Sequence, residues 1–532
     1  MTITPQGQLY LCKTPLENDY KNQLTFSDAS AQLTYFNSTI AFTLSDYTYI
    51  KKDNAVNVGK NIDEIIDCNY LFYRNVGFTS KYYFCFITNM EYVNENCTKI
   101  TFETDVFQTW YFDIQYHKCF VEREHVSNDA VGKHTVPENL ETGEYICNSH
   151  TKDSTMDSYA TDLCYVMAST SIPNTQPASE SVAPTGVYNG IYTGLTYYEY
   201  EVSTAIDVIL EIMATAGKTD AINGIFMAPK WLAPIDPNAS RREVEHSNTP
   251  KTFNITVAKQ TTLNGYTPKN NKLKCFPYNY LLVSNNIGQN AILHYEKFSN
   301  ANNATFTVKG VLNPGCSINI TPTNYNGSAS SDIDAIQLGK FPICNFQNDM
   351  YTNWLTQNSI NVLGHNVTTD DMNIAGSGLS ALASTITNVA VGNYAGAGMS
   401  VASGLSGIAG AVIQQKQHNM IPATVNGQLN SADVNVASGN NTFHFYKMSI
   451  KEEYAKIIDN YFSMFGYKVN EVKTPNITGR SHWNYVKTIN CNFSGNIPEE
   501  DMQIIKRMFD NGVTLWHGAS TMYDYSQTNN IV

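Results

Sequence analysis

Charge is what this chain has least of. Only 15% of its 532 residues are Asp, Glu, Lys or Arg, against about 25% in ordinary soluble domains. Basic residues are the scarcer sign: 34 Lys and Arg against 47 Asp and Glu leave a formal charge of −13. That balance excludes a nucleic-acid binder working through a basic surface, which needs clustered Lys and Arg on phosphates. Residues Met1 to Tyr20 have no basic start leading into an apolar run, so no secretory leader is expected. The eleven cysteines, from Cys12 to Cys491, include no CxxC pair. Neither a tetrahedral zinc site nor a disulfide framework is therefore expected, and reduced, mostly buried thiols are.

Catalytic patterns are scarce too. No complete HExxH, GxSxG, EF-hand or phosphate-loop motif occurs. Gly217-Lys218-Thr219 ends like a phosphate loop, but Ile212 stands where its first glycine belongs. Gly376-Ser377-Gly378-Leu379-Ser380-Ala381 matches GxGxxA, yet dinucleotide binding needs a strand just before it and an acid about twenty residues later. Thr368-Thr369-Asp370-Asp371 precedes it instead, and no acid follows before Lys416. The acid pairs Glu122/Glu124 and Asp332/Asp334 are spaced like candidate wall-cleaving carboxylates, but such chemistry needs a cleft and a set separation, so solvated surface is the expectation. His117, near Cys119, reads as a surface or strand residue. The chain is expected to be no enzyme, with no catalytic residues, cofactor or metal.

What the chain does have is aromatic residues, 12% in all with 34 Tyr and 24 Phe, which excludes a disordered polymer. From Tyr35 to about His125, short β-branched and aromatic runs alternate with turn residues: Thr34-Tyr35-Phe36, Tyr82 to Ile87, Ile100-Thr101-Phe102. The run Tyr82 to Ile87 is apolar at successive positions, which suits a strand covered on both faces. Turns are expected at Asn94-Glu95-Asn96 and Val126 to Asp129. The same pattern continues to about Pro342, with loops at Ser171 to Pro177 and Pro234 to Asn238 and one helix spaced over Thr204 to Ala216. Near the C-terminus, Ser449 and Glu452 form a capping box, a stripe Tyr454, Ile457, Ile458, Tyr461, Phe462, Phe465 follows, and Gly466 supplies the stop. A second helix runs from Pro498 to Asp510, with Glu499, Glu500 and Asp501 at its positive end and Asn511-Gly512 closing it. The fold class expected is mainly β with inserted helices (α+β).

One segment suits neither a soluble core nor an aqueous linker. Between Asp371 and Lys416, the 44 residues Met372 to Gln415 carry no charge, and 8 Gly and 9 Ala lie among the 40 residues from Ile374 to Ile413. A core helix would avoid so many glycines, each costing about 1 kcal/mol against Ala, and a linker would be more polar. Its large aliphatics are Ile374, Leu379, Leu382, Ile386, Val389, Val391, Met399, Val401, Leu405, Ile408, Val412 and Ile413. They fall in two arms, each near the roughly 20 residues that span a bilayer, around a turn whose hinges are Gly392 and Gly396. Small residues at four-residue steps, Gly376, Ser380, Ser384 and Ser403, Gly407, Ala411, let helices approach closely in lipid. Twelve aliphatics at about −0.4 kcal/mol each give about −5 kcal/mol before the polar residues subtract, a conditional inserter rather than a permanent anchor. A membrane-active loop and a mobile structural or signal-like loop both fit this composition.

Two stretches carry a resemblance. The first is Thr101 to Trp110, continuing through Phe120-Val121-Glu122-Arg123-Glu124-His125-Val126 and Pro137-Glu138-Asn139-Leu140-Glu141-Thr142-Gly143-Glu144-Tyr145; the second runs from Ile458-Asp459-Asn460-Tyr461-Phe462 through Gly466-Tyr467, Trp483 to Thr488 and Asp510 to His517. They resemble the distal tail-tube, or tail-knob, proteins of short-tailed phages like phi29 that infect Gram-positive bacteria. The resemblance covers about 1–145 and 345–532, while the middle rests on being enclosed by the two ends. It implies β-barrel-like tail-tube domains forming a hexameric cylinder, with the apolar loop at its tip. It further implies a homohexamer joined to other tail proteins of the upper tail or connector, located at the distal end of the virion tail. Phage DNA would pass through the lumen, and the apolar loops would plug the channel and insert into the host cytoplasmic membrane during ejection. The divisions expected are 1–148 and 149–344 as β domains, 345–371 as a return segment, 372–441 as the Gly/Ala-rich loop and 442–532 as a tube domain with two helices. The alternative class is a receptor-binding or cell-wall-degrading tail protein.

Overall fold

The computed structural model describes residues 7–47, 54–76, 79–170, 172–173, 186–204, 209, 222–239, 242–326, 336–341, 343–344, 436 and 440–532. They fall into two compact units, one of Met1–Glu141, Pro268–Leu273 and Glu453–Val532, the other of Thr142–Thr267 and Lys274–Glu452. The first and last stretches of the chain share one unit.

In the first unit a six-stranded antiparallel sheet has the order Ile40–Tyr47, Gly7–Cys12, Tyr70–Asn75, Tyr83–Asn94, Cys97–Thr104, Ala55–Val58. Both faces are covered. Leu9, Leu11, Leu71, Tyr73, Cys85 and Phe102 pack on one side, while Tyr70, Phe72, Phe84 and Phe86 pack on the other with Phe36, Trp483 and Trp516. That explains the unbroken apolar runs, since neither face is left to water. The hairpin turn falls at Glu95-Asn96, as the turn residues there require. Thr34-Tyr35-Phe36 is a correction: it lies in the helix Ala29–Ser38, capped by Asp28, whose carboxylate accepts from the Ala31 amide at 2.8 Å. The helix buries Phe36 and the polar Gln32 and packs Leu33 and Tyr35 against the same core, a mixed face that leaves no clear apolar stripe in the sequence to read.

A second, five-stranded sheet has the order Asn22–Leu24, Val513–Trp516, Trp483–Ile489, Cys119–Glu124, Tyr467–Lys473, and joins the N- and C-terminal stretches of the chain. The helix Glu499–Asn511 packs Ile505, Met508 and Phe509 inward, with Pro498 as its N-cap and Gly512 at φ 95°. The helix Glu452–Phe465 starts later than the capping box suggests. Ser449 is buried within the strand His444–Ile450, pairing with Ile146 and Asn279, so its backbone is committed to a sheet. Its inward face also differs from the apolar stripe: Asp459 is buried, while Ile457 is 67% exposed.

Gly466 ends that helix at φ +64°, donating to the Phe462 carbonyl at 2.8 Å and accepting from Arg123 Nη1 at 2.7 Å. A Cβ there would stand 2.1 Å from the Glu124 carbonyl oxygen. Gly466→Ala adds left-handed strain to a backbone clash, so it is expected to lower stability by about 3 kcal/mol or more, read as a shift in the urea midpoint.

The second unit is built from antiparallel sheets, three of them four-stranded. Two of these hold the described strands nearest to the uncharged segment on either side: Thr196–Glu201, Leu163–Ser169, Ile222–Pro229, Ile343–Cys344, and Tyr145–Lys152, His444–Ile450, Asn279–Ser284, Asn290–Leu293. Their core runs through Val166, Phe226, Leu281, Phe306, Ile320 and Phe445. The loop expected at Pro234 to Asn238 is present, whereas the loop from Ser171 and the helix from Thr204 to Ala216 lie almost wholly outside the described residues.

Candidate functional site

The twelve aliphatics Ile374, Leu379, Leu382, Ile386, Val389, Val391, Met399, Val401, Leu405, Ile408, Val412 and Ile413, with Gly392 and Gly396, lie outside the described residues. The described stretches nearest to that segment on either side both belong to the second unit. Before it, Ile343–Cys344 is an edge strand paired with Ile225 and Phe226. After it, Asn441 Nδ2 donates to the Gly339 carbonyl at 3.2 Å, and His444–Ile450 is the inner strand between Tyr145–Lys152 and Asn279–Ser284. Among the described residues no helix is long and apolar enough to cross a membrane.

The residues that carry the resemblance form a buried polar hub in the first unit. Glu138 is buried, accepting from Lys272 Nζ, from Arg123 Nη2 and from the Lys468 amide at 2.9 Å. Arg123 also lies over the Tyr461 ring, 4.9 Å from its centre. Glu124, fully buried, accepts from Lys473 Nζ and from the Asn476 amide at 2.9 Å. This corrects the expectation of solvated surface for Glu124. The more open neighbour is Glu122, paired with Lys487 at 2.9 Å, while Asp332 and Asp334 lie outside the described residues. Asp459 accepts from the amides of Lys269 at 2.7 Å and Asn270 at 3.1 Å, and Asp129 accepts from Tyr467 Oη at 2.6 Å. Each carboxylate thus ties a loop to a strand or helix far along the chain, and none of them is paired with a second acid across an open cleft.

His125 is held neutral by the same hub. Its Nδ1 accepts from the Tyr485 amide at 2.7 Å and its Nε2–H donates to the Ser463 carbonyl at 3.1 Å. Burial first, then the nearby Arg480 cation, push its pKa down to about 3. His117 is exposed, its Nε2 2.8 Å from Ser494 Oγ. Cys12, Cys68, Cys85, Cys119, Cys164, Cys275, Cys316 and Cys491 are buried free thiols. The described residues hold no cluster of three metal-ligating side chains.

Asp105, in the Thr101 to Trp110 motif, caps the helix Val106–Trp110 by accepting from the Gln108 amide at 3.1 Å, and accepts from Tyr70 Oη at 2.9 Å. It is wholly buried, and that burial pushes its pKa up to about 7. The native protein therefore keeps a proton that the unfolded chain, near the ordinary 3.8, has released. That contribution is complete below pH 3.8 and is lost as pH rises toward 7. Asp105→Asn removes the charge while its Oδ1 can still accept from the Gln108 amide and its Nδ2–H can donate to the Tyr70 hydroxyl oxygen, which accepts as well as donates. It is expected to raise stability by about 3 kcal/mol at pH 8 and by little at pH 4, checked by urea unfolding at the two pH values. An Asp followed at the third position by Gln is a helix-start signal that sequence alone carried.

Comparison with known proteins gives this fold a class. Residues 8–115 match the model described as Caudoviral major tail protein N-terminus. Over 99% of its length the chain is similar to the solved structure of the bacteriophage C1 tail knob protein, gp12, all of which is covered, with a TM-score of 0.65 at 14% identity. With its relatives below, this makes the chain a structural protein of a phage tail, whose place is the virion tail among other tail components. More particularly, residues 243–530 match the C-terminal domain model of the Bacillus phage phi29 tail knob protein gp9, and the chain belongs to that family. The tail knob proteins gp9 of Bacillus phages B103 and phi29 are each 26% identical to it, across 97% and 98% of both chains.

Proposed function

We propose that six copies of this chain form a closed, non-enzymatic tube at the distal end of the tail, and that phage DNA passes through it. The Gly/Ala-rich segment of each copy plugs the channel and enters the host cytoplasmic membrane during ejection. The observation that carries this reading is the uncharged stretch from Met372 to Gln415, bounded by Asp371 and Lys416, in a chain of the tail knob family. One copy supplies about −5 kcal/mol of insertion drive at most, so several acting together are required. The acidic balance supports passage of DNA: six copies multiply a charge of −13, and an acidic lumen would repel phosphates rather than hold them. A wall-degrading role would need acids paired in a cleft, and Glu124 is committed to Lys473.

Purified protein is expected to run as a hexamer by native mass and to release dye from anionic liposomes. A variant lacking residues 372–415 should keep the hexamer and lose the release. A stable monomer, or equal dye release from both proteins, would overturn the proposal, as would release of sugars from purified cell wall.

A further inference from the structure

The strand that comes after the Gly/Ala-rich segment carries an unusual pair of rings. His150 Nε2 and His444 Nδ1 are 2.8 Å apart, with ring centres 5.1 Å apart and planes 14° from parallel. That separation matches the N···N distance plus one ring radius on each side, so the rings meet edge to edge in nearly one plane, as a linear N–H···N bond requires. Tyr446, directly opposite His150 in the strand pairing, covers the His150 ring at 4.6 Å and 15°. His444 is 3% exposed, while His150 lies exposed on the outer strand Tyr145–Lys152.

Protons can be assigned from the surroundings. The Asn440 backbone favours a proton on the His444 ring, and with Nδ1 taken up by His150 that proton is assigned to Nε2. Nδ1 of His444 is then the acceptor and Nε2–H of His150 the donor. The remaining charged groups facing the pair are Lys152 and Asp157, themselves 3.4 Å apart, with Lys152 Nζ also bound to Asn440 Oδ1 at 2.7 Å. The neighbouring strand Asn279–Ser284 presents uncharged Ser284 opposite His444, and Asn286 holds Tyr446 Oη at 3.0 Å.

We propose that His150 and His444 form a two-step proton clamp on the pairing of Tyr145–Lys152 with His444–Ile450, kept through the first proton and opened by the second. The first proton enters at His150, the exposed ring, although burial first and then the Lys152 cation hold its pKa below the ordinary histidine value. The resulting imidazolium still donates through Nε2–H, now as a charge-assisted bond, and stacks as a cation on Tyr446. The second proton has one vacant nitrogen, His444 Nδ1, and that atom already accepts the bond. Occupying it sets two donors and two positive charges face to face beside Lys152, with Asp157 the carboxylate in reach among the described residues. Burial holds His444 down to about 4, which puts opening at strongly acidic pH. Such a pair titrates as a unit, and the two steps belong to both rings. The consequence for entry rests on the proposed function, because the strand that would be freed is the one into which the segment 372–441 returns; the clamp itself does not depend on it.

Hydrogen exchange of the full-length chain tests the clamp, followed in peptides covering 145–152 and 444–450 and corrected for intrinsic rates. Protection at pH 5.5 should equal or exceed that at pH 7.5, then fall at least tenfold by pH 4 while the strand Asn303–Val311 stays protected. In His150→Gln the side-chain amide can turn its oxygen to the proton on His444 Nδ1, so the acid step should vanish. Loss of protection already between pH 7.5 and 5.5, the same acid step in His150→Gln, or a simultaneous loss in all peptides would each overturn the clamp. Liposome dye release on the same samples separates the two readings: an acid step in exchange without any dye release at any pH leaves the clamp standing and removes the membrane role.

Discussion

Glu138→Ala is expected to lower stability by about 3–5 kcal/mol, because it takes from the buried Lys272 ammonium and the Arg123 guanidinium the carboxylate they share. The loss is larger than the net worth of the ion pairs. In water both cations are solvated, whereas in the folded chain they are held away from it, Lys272 being 5% exposed. Arg123 is further held by the Gly466 carbonyl and the Tyr461 face. Removing all three charges at once should cost much less. The triple variant Glu138→Leu, Lys272→Met, Arg123→Met is therefore expected to be more stable than Glu138→Ala alone in urea unfolding. If the single and triple variants unfold at the same midpoint, desolvated charge is not what the hub controls.

The second large effect lies in the apolar segment. Leu382→Asp together with Leu405→Asp places one carboxylate in each arm. An Asp at the centre of a spanning helix costs about 3 kcal/mol, so two cost about 6, more than the roughly 5 kcal/mol that the twelve aliphatics supply. Dye release from liposomes should fall at least tenfold with the native mass unchanged. Dye release at the parent level would mean that the segment does not meet the bilayer interior.

How much of this was legible in the sequence depends on the range of the forces involved. The helix Glu499–Asn511 was legible because everything that defines it is local: Pro498, three acids in the first turn and Gly512 past the end. The run Tyr82 to Ile87 read as a strand because burial on two faces leaves an apolar signature at successive positions. By contrast, Glu124, Asp459 and Glu138 look like ordinary surface acids. Their partners, Lys473, Asn270 and Lys272, lie more than a hundred residues away, and no local pattern announces a distant ion pair. Ser449 misled for the opposite reason: its capping-box spacing is local, but sheet pairing on both sides claimed its backbone first. The resemblance motifs turned out to contain Glu124, Glu138 and Asp459, three buried acids of the first unit. The apolar segment was legible by composition alone.

The most direct test is made in the virion. Phage carrying this chain without residues 372–415 are expected to assemble complete tails and adsorb to their host. Their DNA should stay in the capsid, read as loss of DNA entry into cells by at least a hundredfold with particle number unchanged. Normal DNA delivery by those particles would contradict the account.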